Sequence, residues 1–222
     1  KISSFFASLK SYPTSFWLLC VNMLVFMMSF NMLLPEMNEY ITDLGGADKK
    51  WMILGLWTIA AAVARPFSGK IADNINRKSV MYFGILVSIL ISFTYPLFLT
   101  VTGFLVLRFL HGFSTGFHPT GATALIADIV PKGKRGEAMG LFGVTISLGF
   151  SGGQALGSPV KLALGIDGLF IAAGILAIVA LALLFFVKEN FNTGHVLTEE
   201  EDENLVDGTK KVKPSIWKRV IP

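Results

Sequence analysis

Arg108, His111, Thr115, His118 and Ala122 recur three, four, three and four residues apart. On a helix this spacing puts all five on one face. A guanidinium inside a membrane helix costs roughly 2.5–3.5 kcal/mol on insertion scales, so Arg108 should face a bundle interior or a water-filled cavity. Two readings are open: a structural arginine bonded to neighbouring helix carbonyls, or a cation lining a cavity. His111 and His118 can titrate near neutral pH, or act as buried neutral donors. No third metal-type ligand lies at helical spacing from them, and no metal is expected. A second polar face, Ser147, Ser151, Gln154 and Ser158, runs beside Gly149, Gly153 and Gly157, which repeat at spacing four. Such glycines let helices approach closely. The polar face either lines a pathway or satisfies adjacent helices. Asn22 and Ser29 share a face of the first apolar stretch, Asn31 points the opposite way, and Glu36, just after Pro35, is expected to be solvated.

The elements that must position these groups are legible in the charge distribution. Of 222 residues, 53% are apolar and 15% charged, with a mean hydropathy of +0.62; an ordinary soluble domain carries roughly 25% charged residues. Six windows, 16–35, 51–69, 79–99, 103–127, 138–160 and 168–187, contain only two charges, Arg65 and Arg108. Each is about the length of a bilayer-crossing helix. Arg65 lies near the end of its window, where it can snorkel to the headgroups. The expected fold is therefore all-α and membrane-integral, with six transmembrane helices. A soluble domain, a nucleic-acid binder and a disulfide scaffold are excluded, and the one cysteine, Cys20, lies within the first window.

The net charge of +4 reads as a topology signal rather than as a sign of an anionic partner. Fourteen of the 19 Lys and Arg fall on one side of the six windows, while only Lys49, Lys50 and Lys161 fall on the other. By the positive-inside rule both ends are expected in the cytoplasm, with the chain multi-pass in a bacterial inner membrane. The expected organisation is an interfacial segment 1–15, a six-helix bundle 16–188, a charged linker 189–214, and an amphipathic lead-in 215–222 to a seventh span. The outer connections are expected at 36–50, 100–102 and 161–167. No P-loop, HExxH pair or GxGxxG fingerprint is present, and no embedded carboxylate pair stands out, so neither an enzyme nor a cofactor is expected.

The loop Gly69-Lys70-Ile71-Ala72-Asp73-Asn74-Ile75-Asn76-Arg77-Lys78 resembles the signature loop of the major facilitator superfamily, with Asn74 and Asn76 where Arg and Gly are usual. From the residues alone, Asp73 can cap a helix N-terminus, and Asn tolerates the left-handed conformation a tight turn uses. Arg108-Phe109-Leu110-His111-Gly112, followed by Gly116, resembles the superfamily's fourth-span pattern. Gly153-Gln154-Ala155-Leu156-Gly157 resembles its fifth-span antiporter motif, with Gln154 in place of Pro. The run Ala127–Pro131, then Arg135–Gly140, is similar to the drug- and sugar-efflux branch.

The resemblance implies the N-terminal half of a twelve-helix fold, built as two inverted three-helix repeats and working by alternating access. It implies proton-coupled efflux of a small amphiphilic molecule. Asn22, Arg108, His111, Thr115, His118, Ser151 and Gln154 would line the substrate and proton route. Gly69, Asp73, Arg77 and Lys78 would form the inner-gate loop, with Gly149, Gly153 and Gly157 packing helices. The implied partners are membrane lipid, a small-molecule substrate, protons, and a C-terminal six-helix half or a second copy. The alternatives are a facilitator or importer of a small solute, and a non-transporting six-helix scaffold subunit of a membrane complex.

Overall fold

A computed structural model describes Leu9 and residues 12–188. The expected linker 189–214 and lead-in 215–222, and most of segment 1–15, lie outside the described residues. Among the described residues there are helices and short connections, with no strand. The long helices are α1 (Thr14–Asn31), α2 (Leu34–Asp43), α3 (Lys50–Asn74), α4 (Arg77–Thr94), α5 (Val101–Ile129) and α6 (Arg135–Phe186).

Local chemistry explains the boundaries. Pro35 lies in the first turn of α2, where its missing N–H breaks no helical bond. Asn76 caps α4 by accepting from the Ser79 backbone N–H at 3.1 Å, and Thr100 caps α5 by accepting from Gly103 N–H at 3.2 Å. Within α6, Gly165 has φ 74° and ψ 179° and divides the helix. That backbone region is essentially closed to residues with a Cβ.

Among the described residues four stretches are long and apolar enough to cross a membrane: Thr14–Asp43, Ala47–Asn74, Arg77–Leu97 and Lys132–Phe186. The expected six are not all recovered on these grounds. Helix α5 is missing because Arg108, His111, His118 and Pro119 dilute its apolarity, whereas the last stretch has 55 residues, more than twice the roughly 20 a crossing requires. The connections also differ from expectation. Residues 36–50 are largely helical, because α2 continues to Asp43. The turn before α5 is a short 3-10 helix at Tyr95–Leu97, and 161–167 is helical on both sides of Gly165 rather than a loop.

Packing follows the small residues. Helix α6 lies along α1, and α5 packs against both α3 and α4. A Cβ added at Gly149 would sit 2.7 Å from Leu24 O, and one at Gly153 would sit 2.7 Å from Met28 O. A second seam of the same kind joins α5 to α3, where a Cβ on Gly112 would meet Trp57 O at 2.6 Å and one on Gly116 Ala61 O at 3.0 Å.

The buried apolar residues form two large clusters. One, with Phe16, Phe26, Met81, Leu125 and Leu184, occupies the end of the bundle where α1 starts. The other, with Met37, Tyr40, Ile91, Phe104 and Phe170, occupies the far end. Along α1, α4 and α5 the buried polar residues gather between the two clusters: Ser29, Ser88, Arg108, His111, Ser114, Thr115 and His118. The bundle has a polar layer at mid-height.

Candidate functional site

The polar layer is centred on Arg108, which is fully buried. Its guanidinium carbon lies 5.0 Å from the centre of the Phe30 ring of α1, a cation–π contact. None of its three nitrogens makes a hydrogen bond among the described residues, and the Tyr95 hydroxyl is the polar group that comes near enough to interact with it. A guanidinium offers five N–H donors, and leaving them unmet in an apolar interior is costly. The geometry therefore leaves a standing demand for an acceptor, either an anion or water.

His111, one turn along, is held on both sides. Ser88 Oγ lies 3.1 Å from its Nε2, and Tyr95 OH lies 3.3 Å from its Nδ1. A neutral imidazole, donating at one nitrogen and accepting at the other, satisfies both hydroxyls. The Phe30 ring also meets the His111 ring edge-on at 4.9 Å. Thr115 accepts from Trp57 Nε1 at 2.8 Å, tying α5 to α3. His118 is also fully buried; its Nδ1 lies 3.4 Å from Met81 O and its ring 4.2 Å from Phe26, while Nε2 has no hydrogen-bond partner among the described residues.

The expected pathway residues thus fall into two groups. Arg108, His111, Thr115 and His118 share one buried face, with Asn22 buried on α1. Asn22 Nδ2 donates to Ala180 O at 2.6 Å, and Ser29 donates to Ala173 O at 2.7 Å, so these two fasten α1 to the second part of α6. Ser151 and Gln154, by contrast, lie on an exposed face of α6 with Ser147 and Ser158. The structure does not bring them to the buried layer. Ser88, Tyr95, Phe30 and Trp57 were not singled out from sequence. Ser88 and Ser92 of α4 and Tyr95 of the 3-10 turn that follows it repeat at i, i+4 and i+7, a signal of the same kind as that on α5.

In the loop between α3 and α4, Arg77 bridges two helices. Its Nη1 bonds Asp73 Oδ1 at 2.6 Å, and its Nε bonds Asp128 Oδ2 of α5 at 3.0 Å. Asp73 is thus an ion-pair partner and not a cap; Asn76 does the capping. The turn uses no left-handed asparagine: Asn74 is the last helical residue of α3, and Asn76 is extended. Lys78 donates to Val187 O at 2.8 Å. Gly69 is half-buried, and a Cβ there would meet nothing within 4 Å.

At the far end Glu36 is 7% exposed rather than solvated. It accepts from Ser158 Oγ and pairs with Lys161 at 2.9 Å, while Lys161 also reaches Glu39 at 2.6 Å. Among the described residues no group of three His, Cys, Asp or Glu stands close enough to hold a metal ion.

Residues 16–221 match the family model described as Major Facilitator Superfamily. The chain is 28% identical over 211 residues to Multidrug resistance protein 2 of Bacillus subtilis (strain 168), covering 92% of this chain and 50% of that protein. It is 32% identical over 187 residues to the Multi-drug resistance efflux pump PmrA homolog of Lactococcus lactis subsp. lactis (strain IL1403), covering 80% of this chain and 46% of that one. The fold is similar to a solved D-xylose-proton symporter, with a TM-score of 0.68 at 15% identity over 89% of this chain and 53% of the symporter. The chain spans about half the length of the curated relatives it matches.

Proposed function

This chain belongs to the major facilitator superfamily, a family of multi-pass membrane transporters and not of enzymes, and from that premise we propose that it forms the N-terminal half of a proton-coupled exporter of a small amphiphilic molecule. In this reading the bundle crosses the membrane six times, with α5 as the fourth crossing and α6 supplying the fifth and sixth on either side of Gly165. The two glycine seams support a pair of inverted three-helix repeats. The first helix of the leading repeat packs on the second helix of the other (α1 on the early part of α6), and the reverse pair (α5 on α3) packs in the same way. Both chain ends lie in the cytoplasm of a bacterial inner-membrane protein, in keeping with the basic residues at 70–78 and 132–135.

The observation that carries the reading is the mid-height polar layer with Arg108 unpaired at its centre. Secondary transporters of this architecture bind substrate near the bilayer midplane and rock one half against the other. A C-terminal half or a second copy completes the cavity. Proton and substrate compete for one state of the assembly, so each biases which side is open. Arg108, with Asn22, His111, Thr115 and His118, forms this half's contribution. The exposed Ser151 and Gln154 face the complementary half, and Gly69, Asp73, Arg77 and Lys78 latch the inner gate. The names of the relatives, which speak of multidrug resistance, support export.

The test is flux of a fluorescent amphiphile in inside-out vesicles under an imposed pH gradient. Arg108→Ala should abolish pH-driven transport while the amount inserted in the membrane stays unchanged. Wild-type pH-driven flux in that variant would remove Arg108 from the mechanism. A facilitator would show downhill flux indifferent to the pH gradient, and a scaffold subunit would show none.

A further inference from the structure

A groove of about 410 Å³ runs between the beginnings of α3 and α5, on their outward surface. Met52 and Leu56 form one wall, Leu105 and Phe109 the other, and Lys49 and Thr102 stand at its mouth. On α5 it opens on the side of the exposed Val106 and Leu110, whereas Arg108 and His111 are buried. It is therefore separate from the polar layer. We propose that this groove holds one acyl chain of an anionic phospholipid, with the headgroup phosphate at Lys49.

Size and charge both favour this occupant. From Val101 to Phe109 the groove follows α5 over eight residue steps, about 12 Å at 1.5 Å each. One leaflet's hydrocarbon is about 15 Å deep, half of a core of about 30 Å. The apolar walls therefore match the depth of a single acyl chain, and the polar mouth falls at headgroup level. Lys49 and Lys50 are both exposed there and outnumber the neighbouring Asp48. Neither lysine has a salt-bridge partner among the described residues. Helices α3 and α5 both start at this end, and α3 has no side-chain cap on its first N–H groups, so two positive helix ends add to the lysines. A zwitterionic headgroup would gain less from this cluster than a phosphatidylglycerol with its net negative charge.

The proposal does not depend on the transport reading, and its test uses no gradient. The full-length protein is placed in phosphatidylcholine nanodiscs doped with phosphatidylglycerol carrying a photoactivatable acyl chain, and the labelled peptides are mapped. Labelling should concentrate on residues 52–56 and 101–109. Lys49→Gln should weaken it about fivefold, the effect of about one lysine at an anionic lipid surface. Leu105→Trp, which fills the groove, should abolish labelling, whereas Leu148→Trp on α6 should leave it unchanged. Equal labelling by a photoactivatable phosphatidylcholine would overturn the proposal. So would labelling indifferent to Lys49→Gln, a substitution at an exposed side chain that leaves folding intact. Cross-links from these residues to protein in place of lipid, or displacement of the lipid by a transported amphiphile, would equally assign the groove to another occupant.

Discussion

Arg108 joins a stability argument to a functional one. Its side chain is wholly buried, rests on Phe30, and makes no hydrogen bond among the described residues. A charge in this position costs roughly 2.5–3.5 kcal/mol on insertion scales, and apolar replacement of buried ionic groups is often neutral or stabilising. Arg108→Met, which keeps the length of the side chain, should therefore raise the thermal midpoint of the detergent-solubilised protein while removing pH-driven flux. A lower midpoint would mean that the guanidinium is satisfied in the membrane and contributes to packing. The stripe containing Arg108 was legible in sequence, because a spacing of three and four on an apolar helix reports a face directly. Its partners Ser88 and Tyr95 are less easily read, because a single hydroxyl on an apolar helix carries no signature of what it faces. Glu36 shows the converse failure. Its neighbours Met37, Tyr40 and Ile41 are buried at helical spacing, but Lys161, which pairs with it, lies 125 positions away, and no local pattern reports a pairing at that distance.

At the scale of the helices, the glycine seams separate two roles that are identical in the sequence. Gly153 and Gly140 both lie within α6. A Cβ on Gly153 would press on Met28 O at 2.7 Å, while one on Gly140 would meet nothing within 4 Å. Gly153→Ala should therefore destabilise the bundle by about 1–3 kcal/mol through forced separation of α1 and α6. Gly140→Ala should stabilise it by up to about 1 kcal/mol, because alanine is the better helix former. Thermal unfolding of the two variants side by side is the measurement, and shifts of the same sign would mean that the seam does not hold the helices at backbone contact. The seam at Gly149, Gly153 and Gly157 was legible from its spacing. The one at Gly112 and Gly116 repeats that spacing, but the two glycines sit among the histidines of the polar stripe, where the packing signal is overlaid by the polar one. The seven-residue connection expected at 161–167 failed for a related reason. A single glycine with positive φ redirects a helix without any loop, and the sequence shows only Gly165, one glycine among 22.

For the whole molecule the open quantity is the number of crossings, and one connection decides it. Helix α4 carries the chain from Asn74 across to Leu99. If α5 stays out of the hydrocarbon, as its diluted apolarity allows, Gly133 lies on the same side as Leu99 and opposite Asn74. If α5 crosses, Gly133 returns to the side of Asn74, and the basic run Lys132, Lys134 and Arg135 joins Lys70, Arg77 and Lys78 there. The second arrangement obeys the positive-inside rule. It also places the polar layer of α5 within the bundle, shielded by α1, α3 and α4, so that Arg108 never meets lipid. Low hydropathy in a helix whose polar face is buried by protein is thus compatible with a crossing. Single cysteines at Asp48, Asn74, Gly133 and Leu164, all exposed, in a Cys20→Ser background should resolve it with a membrane-impermeant thiol reagent. The expected pattern is that Asp48→Cys and Leu164→Cys react in intact cells, while Asn74→Cys and Gly133→Cys react only after the membrane is opened. Reaction of Gly133→Cys alongside Asp48→Cys, with Leu164→Cys silent in the bilayer, would reduce the crossings to four. The inverted-repeat arrangement, and with it the placement of Arg108 at the midplane, would then have to be abandoned.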